Sequence, residues 1–266
     1  MRSFILLAAL LAVPLAVPAQ EYALEQLNTS PRHHEWATIP SGDRNLHAFV
    51  AYPENATDSV AAIVIHENRG LTDWVRSFAD QLAGAGILAV APDLLSGFDE
   101  KHDRTAGFAD SDAARSALYQ LDADQVTQDL KAVQNYIRQL PSANGKIVVM
   151  GFCWGGSQTF RFVTNTSDLS AALVFYGSAP RDSTVFDQIS APVHGFYGGN
   201  DQRINSRIPE TDRWMEAAGK AYDYVIYEGA GHAFMRRGDD PADESPNKKA
   251  RNEAWVRLRK LISEIP

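Results

Sequence analysis

The chain has 266 residues, 45% of them hydrophobic, and a formal net charge of −8. That length and apolar content suffice for one large core, and no Pro/Ser/Gly-rich linker divides the chain, so one domain is expected after any leader. The acidic balance, without a basic block, excludes nucleic acid and an anionic membrane surface as partners.

Residues 1–19, MRSFILLAALLAVPLAVPA, combine a positive charge at Arg2, an apolar run too short to span a membrane, and small residues at Val17 and Ala19 ahead of Gln20. This pattern reads as a cleavable secretory signal, so export to the periplasm or the medium is expected, with residues 20–266 as one domain and no stable membrane association after cleavage.

Past a polar lead-in, Arg44–Pro53 alternates like a strand with one exposed face, and Val60–Gly70 opens as a continuous apolar run, the pattern of a strand buried on both faces. Asp73–Gly86 has helical spacing, with Trp74, Phe78 and Leu82 on one face, an acid near its start and glycines at its end. Ile87–Leu95 is the next strand, Ser96–Ser111 a charged loop, and Val126–Leu140 the clearer of two helical stretches. The alternation continues with strands at KIVVMGF, SAALVFYG, APVHGFYGGND and YDYVIYE and helices at CWGGSQTFRFVTN, PETDRWMEAAGKA and NKKARNEAWVRLRKLI. Strands alternating with helices predict an α/β fold: a mostly parallel sheet, helices on both faces, and a site at the carboxyl ends of the strands.

The only cysteine, Cys153, stands in Gly151-Phe152-Cys153-Trp154-Gly155, where a strand gives way to a helix. This is the form of a nucleophile elbow with Cys in the usual Ser place. The glycines let strand and helix approach at a sharp turn, and a thiolate at the helix start gains from its free N–H groups. A single cysteine cannot form a disulfide within the chain. Asp201 in GGND follows one predicted strand and His232 in GHAF follows the last. Nucleophile, acid and histidine thus occur in the chain order of the α/β-hydrolase fold, with Asp201 orienting His232 and His232 pairing with Cys153. The other histidines, including His33 and His34, lack metal-ligand spacing.

With HENRG (His66–Gly70), GFCWGG (Gly151–Gly156), GGND and GHAF in this order, the chain resembles the dienelactone hydrolases over nearly its whole length after the leader. The resemblance implies an α/β-hydrolase fold with helices on both faces of the sheet and a Cys153–His232–Asp201 triad. It implies Glu67 as an additional glutamate that activates a neutral thiol, and backbone N–H groups of Trp154 and Asn68 as the oxyanion hole. It implies further that Arg236, four residues after the histidine, binds a substrate carboxylate, with Arg104 as the candidate second arginine. Ala233 stands where well-known members carry a hydroxyl.

A carboxylate near the thiol opposes thiolate formation yet can take the thiol's proton once substrate brings it within reach. A resting thiol also resists oxidation. Thiol chemistry restricts the substrate as well. A thiol pKa of roughly 8.5 lies far below the ~15–16 of an alcohol, so the intermediate returns to substrate unless the leaving group is an enol, a phenol or a thiol. The expected activity is hydrolysis of small activated esters or lactones through an acyl-enzyme thioester, with neither metal nor organic cofactor. A thiol peptidase or amidase, or a non-catalytic binding or redox-sensing member of the fold, are the alternative readings of the same residues.

Overall fold

The computed structural model describes residues 19–266, so the predicted leader, apart from Ala19, lies outside the described residues. Its centre is an eight-stranded sheet in the order β1-β2-β4-β3-β5-β6-β7-β8. The strands are β1 (His34–Ser41), β2 (Arg44–Ala51), β3 (Ser59–Ile65), β4 (Leu88–Pro92), β5 (Ala143–Phe152), β6 (Ala171–Phe175), β7 (Val193–Gly198) and β8 (Tyr222–Tyr227). From β4 through β8 every pairing is parallel, while β1 pairs with β2 and β2 with β4 antiparallel.

The helices are α1 (Ala19–Thr29), α2 (Asp73–Gly84), α3 (Ser111–Leu118), α4 (Ala123–Gln139), α5 (Trp154–Val163), α6 (Gln202–Asn205), α7 (Ile208–Ala217), α8 (Phe234–Arg237) and α9 (Pro246–Ser263). Because side chains alternate along a strand, each central strand feeds two cores. Ala62 and Val64 of β3 and Met150 and Phe152 of β5 meet Trp74 and Phe78 of α2 and Ala254 and Leu258 of α9. Ala61 and Ile63 of β3 and Val149 of β5 meet Leu130 and Val133 of α4, with Phe160 of α5 in the same cluster.

Two readings from the sequence need correction. HEWATIPS is a strand, β1, paired residue for residue with β2 from His34↔Ala51 to Ser41↔Arg44. As a consequence β2 is interior rather than half exposed: Phe49 and Ala51 enter one core, Leu46, Ala48 and Val50 the other. The N-terminal segment is also anchored. Buried Asp80 of α2 accepts from Arg32 Nε and Ser30 Oγ at 2.7 and 2.6 Å, and pairs with His34 Nε2 at 2.7 Å.

Candidate active site

Cys153 caps the head of α5 with φ 56° and ψ −113°, a region rarely open to a non-glycine residue. Its environment explains why the chain tolerates this. A Cβ on Gly151 would lie 2.3 Å from the Gly155 carbonyl oxygen, and one on Gly155 would lie 2.3 Å from the His66 carbonyl oxygen. Only glycine permits helix, strand and the loop after β3 to close on one another here. The Cys153 N–H donates to Phe175 O at 3.0 Å, and its carbonyl accepts from Ser157 N–H at 3.1 Å.

Asp201 ends the loop after β7, and His232 ends the loop after β8. Asn200 N–H donates to Ala230 O at 2.9 Å, and a Cβ on Gly198 would lie 2.6 Å from Gly231 O, so the loops fit only as built. His232 Nδ1–H donates to Asp201 Oδ2 at 2.5 Å. That bond fixes the tautomer and leaves Nε2 as the working nitrogen. Nε2 is buried and makes no hydrogen bond. Burial pulls the imidazole pKa down, but the Asp201 hydrogen bond and the nearby Cys153 outweigh it and raise it to about 9.

Glu67 is 6% exposed. Its Oε2 accepts from Arg236 Nε at 2.7 Å, while Oε1 is buried without a partner. The Tyr176 hydroxyl is also buried and unpartnered, on a residue whose φ is 40°. Its ring stands edge-on to His232 at 5.0 Å. Burial, with Glu67 nearby, holds its pKa well above the ordinary phenol value, so the hydroxyl stays neutral.

Trp154 is the first residue of α5, so its N–H has no intrahelical acceptor. Asn68 follows β3 at the same end of the sheet. Both are held by His66, which is fully buried and whose pKa burial lowers. Its Nδ1–H donates to Glu67 O at 2.8 Å, and Nε2 accepts from Leu94 N–H at 3.3 Å, an arrangement that suits a neutral ring. The ring stacks on Trp154 at 5.5 Å with an interplanar angle of 11°.

Cys153, His232, Glu67, Asn68, Trp154 and Arg236 line one cavity of about 530 Å³, and Asp201 backs the histidine. Arg104 is not brought there. Thr105 is pinned to Asp93 through its N–H at 2.8 Å and its hydroxyl at 2.7 Å, and the Arg104 guanidinium lies over Trp36 of β1, 5.4 Å from the ring centroid. Arg115 lines the cavity instead, with Tyr119 four residues later. Their spacing, from α3 to the residue that caps its C-terminus, was a legible signal, since residues four apart share a helix face. Arg69, Ser157, Tyr176, Arg203, Ile204 and Ala233 complete the lining. Tyr176, at the carboxyl end of β6, could have been found by the rule that places sites there. Among the described residues no group of three or more His, Cys, Asp or Glu is arranged to hold a metal ion.

The chain is similar to known proteins in sequence and in fold. A relative from Escherichia coli (strain K12), named "Putative carboxymethylenebutenolidase", is 30% identical over 84% of this chain and 84% of its own. One of the same name from Saccharolobus solfataricus is 28% identical over 85% of this chain and 96% of its own. The crystal structure of a "Putative Dienelactone Hydrolase" from Klebsiella pneumoniae superposes with a TM-score of 0.76 at 24% identity, covering 88% of this chain and 99% of that one, and so shares the fold. The model of the Dienelactone hydrolase family matches residues 46–265, a span that takes in the elbow, the acid, the histidine and the glutamate loop, and the chain belongs to that family.

Proposed function

We propose that the protein is a carboxylic ester hydrolase of the carboxymethylenebutenolidase type that opens small activated esters or lactones with Cys153 as nucleophile. The observation that carries this reading is the strained Cys153 at the head of α5, in the same cavity as a His232 whose Nε2 is buried and uncommitted. The names of the relatives supply the ester or lactone bond.

The Cys153 sulfur adds to the substrate carbonyl, and the oxygen that takes up the electron pair is stabilised by the N–H groups of Trp154 and Asn68. Collapse of the intermediate breaks the carbonyl–oxygen bond and releases an enol or phenol, which takes its proton from the protonated His232 ring. Water then adds to the thioester and gives a proton to the now neutral His232 Nε2; collapse of this second intermediate breaks the carbonyl–sulfur bond, releases the acid, and the departing thiolate recovers the proton held by Glu67. The Asp201 carboxylate holds the ring and stabilises the imidazolium.

A carboxylate on the substrate speeds activation of the thiol through Arg236, and activated esters without one react more slowly. A substrate carboxylate competes with Glu67 for this guanidinium, and Arg115 offers it a second one. Glu67, once released, has an unpartnered oxygen free to accept the thiol proton. The expected substrate therefore carries a carboxylate beside an enol lactone or aryl ester.

Turnover of p-nitrophenyl acetate and of a carboxylate-bearing enol lactone, set against the methyl ester of the same acid, tests the reading. The first two should be hydrolysed and the methyl ester should not, and equal rates on all three would contradict a thiol nucleophile. We further propose export, on the composition of residues 1–19. Protein recovered from the periplasm or medium should begin at or near Gln20 by mass spectrometry, and an intact Met1 on a membrane-bound product would refute it.

A further inference from the structure

The two edges of the sheet are β1 and β8. β1 carries Glu35 and Pro40, a charge and a proline of the kind that keep an edge from pairing with another chain. β8 lacks such protection. Its residues, YDYVIY, include no proline and no lysine, and its register against β7 runs without a bulge from Val193↔Tyr222 to Gly198↔Tyr227. Its one charge, Asp223, is taken by Arg257 at 2.5 Å. Val225 and Ile226 are 36% and 46% exposed, two neighbours among the few large apolar side chains that face solvent.

The ladder to β7 fixes the direction of the free backbone groups. Ala221 O accepts from Val193 N–H at 3.0 Å and Tyr227 O from Gly199 N–H at 2.8 Å, so the odd-numbered residues turn their N–H and C=O toward β7. Those of Tyr222, Tyr224 and Ile226 point outward. Nothing among the described residues bonds them: the side-chain contacts of β8 go to Asp223 and to the Tyr222 hydroxyl instead.

A strand with this pattern complements itself. Two antiparallel copies of β8 meeting on a two-fold axis at Tyr224 set Tyr224 opposite Tyr224, Tyr222 opposite Ile226, and Lys220 opposite Glu228. Each facing pair of outward residues within the strand exchanges two N–H···O=C bonds. Facing residues share a face of the sheet, so aromatic meets aromatic, aromatic meets β-branched, and cation meets anion. An axis shifted by one residue either way no longer brings Lys220 to Glu228. Within the chain neither of these two residues has an ion-pair partner among the described residues.

We propose that this edge is the interface to a second copy of the chain, paired antiparallel about Tyr224 so that the two eight-stranded sheets run on as one. The proposal rests on the fold and is independent of the ester-hydrolase reading. It bears on the site through the chain itself, because Glu228 opens the loop that carries His232, and the second copy braces the start of that loop.

Sedimentation velocity of the purified protein over a range of concentrations at low salt tests this. Wild type should be a monomer–dimer equilibrium. Lys220→Glu and Glu228→Lys each set like charges opposite one another at two symmetric positions and should raise the dimer Kd by about tenfold or more, whereas K220E/E228K should restore it. An equimolar mixture of the two single variants should form a mixed dimer in preference to either variant's own, since every facing pair is then opposite in charge. Ile226→Pro removes one outward N–H and leaves the ladder to β7 intact, so it should abolish the dimer with the circular dichroism of the monomer unchanged. A wild type that stays monomeric at every concentration, an assembly larger than a dimer, or a dimer indifferent to both charge reversals would overturn the proposal.

Discussion

Arg236 Nε donates to Glu67 Oε2 at 2.7 Å, joining the residue read from the sequence as a substrate clamp to the residue read as the thiol's activator. Both are largely buried, with side-chain exposures of 25% and 8%. Removing one partner of such a pair leaves the other charge uncompensated. In the mechanism proposed above, the guanidinium has two tasks that exclude each other, so that a carboxylate-bearing substrate exchanges places with Glu67.

Arg236→Ala should therefore lower kcat/KM for a carboxylate-bearing lactone by roughly tenfold to a hundredfold, the loss of ~1.5–3 kcal/mol of charge-assisted hydrogen bonding. A neutral aryl ester of similar size should lose less, because it never displaces Glu67. Side-by-side kinetics decide the matter: equal losses on both substrates would mean that Arg236 only supports the loop carrying His232.

The imidazole of His232 gives a pH dependence of definite sign. Its pKa is raised from the ordinary 6.5 to about 9, opposed by burial but driven by Asp201 and then by Cys153. Stability from its protonated form is fully present below about 6.5 and is lost as pH rises through about 9. Asp201→Asn should bring the pKa down and flatten the fall in stability across that window, and Cys153→Ala should bring it down by a smaller step. NMR titration of the His232 ring checks both, and an unchanged pKa in Asp201→Asn would contradict the pairing.

The loop that holds His232 and Arg236 rests on a polar network beneath it. Trp74 Nε1–H donates to Asp239 Oδ2 at 3.0 Å, Arg251 Nε donates to Met235 O at 3.1 Å, and Arg251 is also ion-paired with Asp239. Asp239 and Arg251 are 6% and 8% exposed. Arg251→Met should cost about 3–5 kcal/mol by stranding the Asp239 carboxylate, read as a lower denaturant midpoint. Replacing Asp239 as well, in Arg251→Met/Asp239→Leu, should recover part of that loss. A single substitution that leaves the midpoint unchanged would show that the network carries no stability.

Much of this fold was legible because the central strands are continuous apolar runs and the helices between them are amphipathic, signals that depend on burial alone. β1 was not, since HEWATIPS mixes polar residues with proline, and an edge strand needs only one covered face. Cys153, Asp201, His232 and Glu67 sit on short loops directly after strands, where chain order nearly determines position. Arg104 and Arg115 come from the stretch between β4 and α4, whose path is set by Asp93 gripping Thr105, a contact twelve residues apart with no local pattern. The Arg236–Glu67 pair spans 169 residues and was equally beyond a reading of either motif by itself.

The central claim is that Cys153 carries the acyl group, and trapping it is the most direct measurement. The protein is mixed with p-nitrophenyl acetate, quenched in acid within the first turnover, digested and analysed by mass spectrometry. The account predicts one acetyl group on the peptide containing Cys153, a burst of p-nitrophenol matching the enzyme concentration if deacylation is the slower step, and neither label nor turnover in Cys153→Ala. Turnover retained by pure Cys153→Ala, or an acetyl group accumulating on another residue at the catalytic rate, would contradict it.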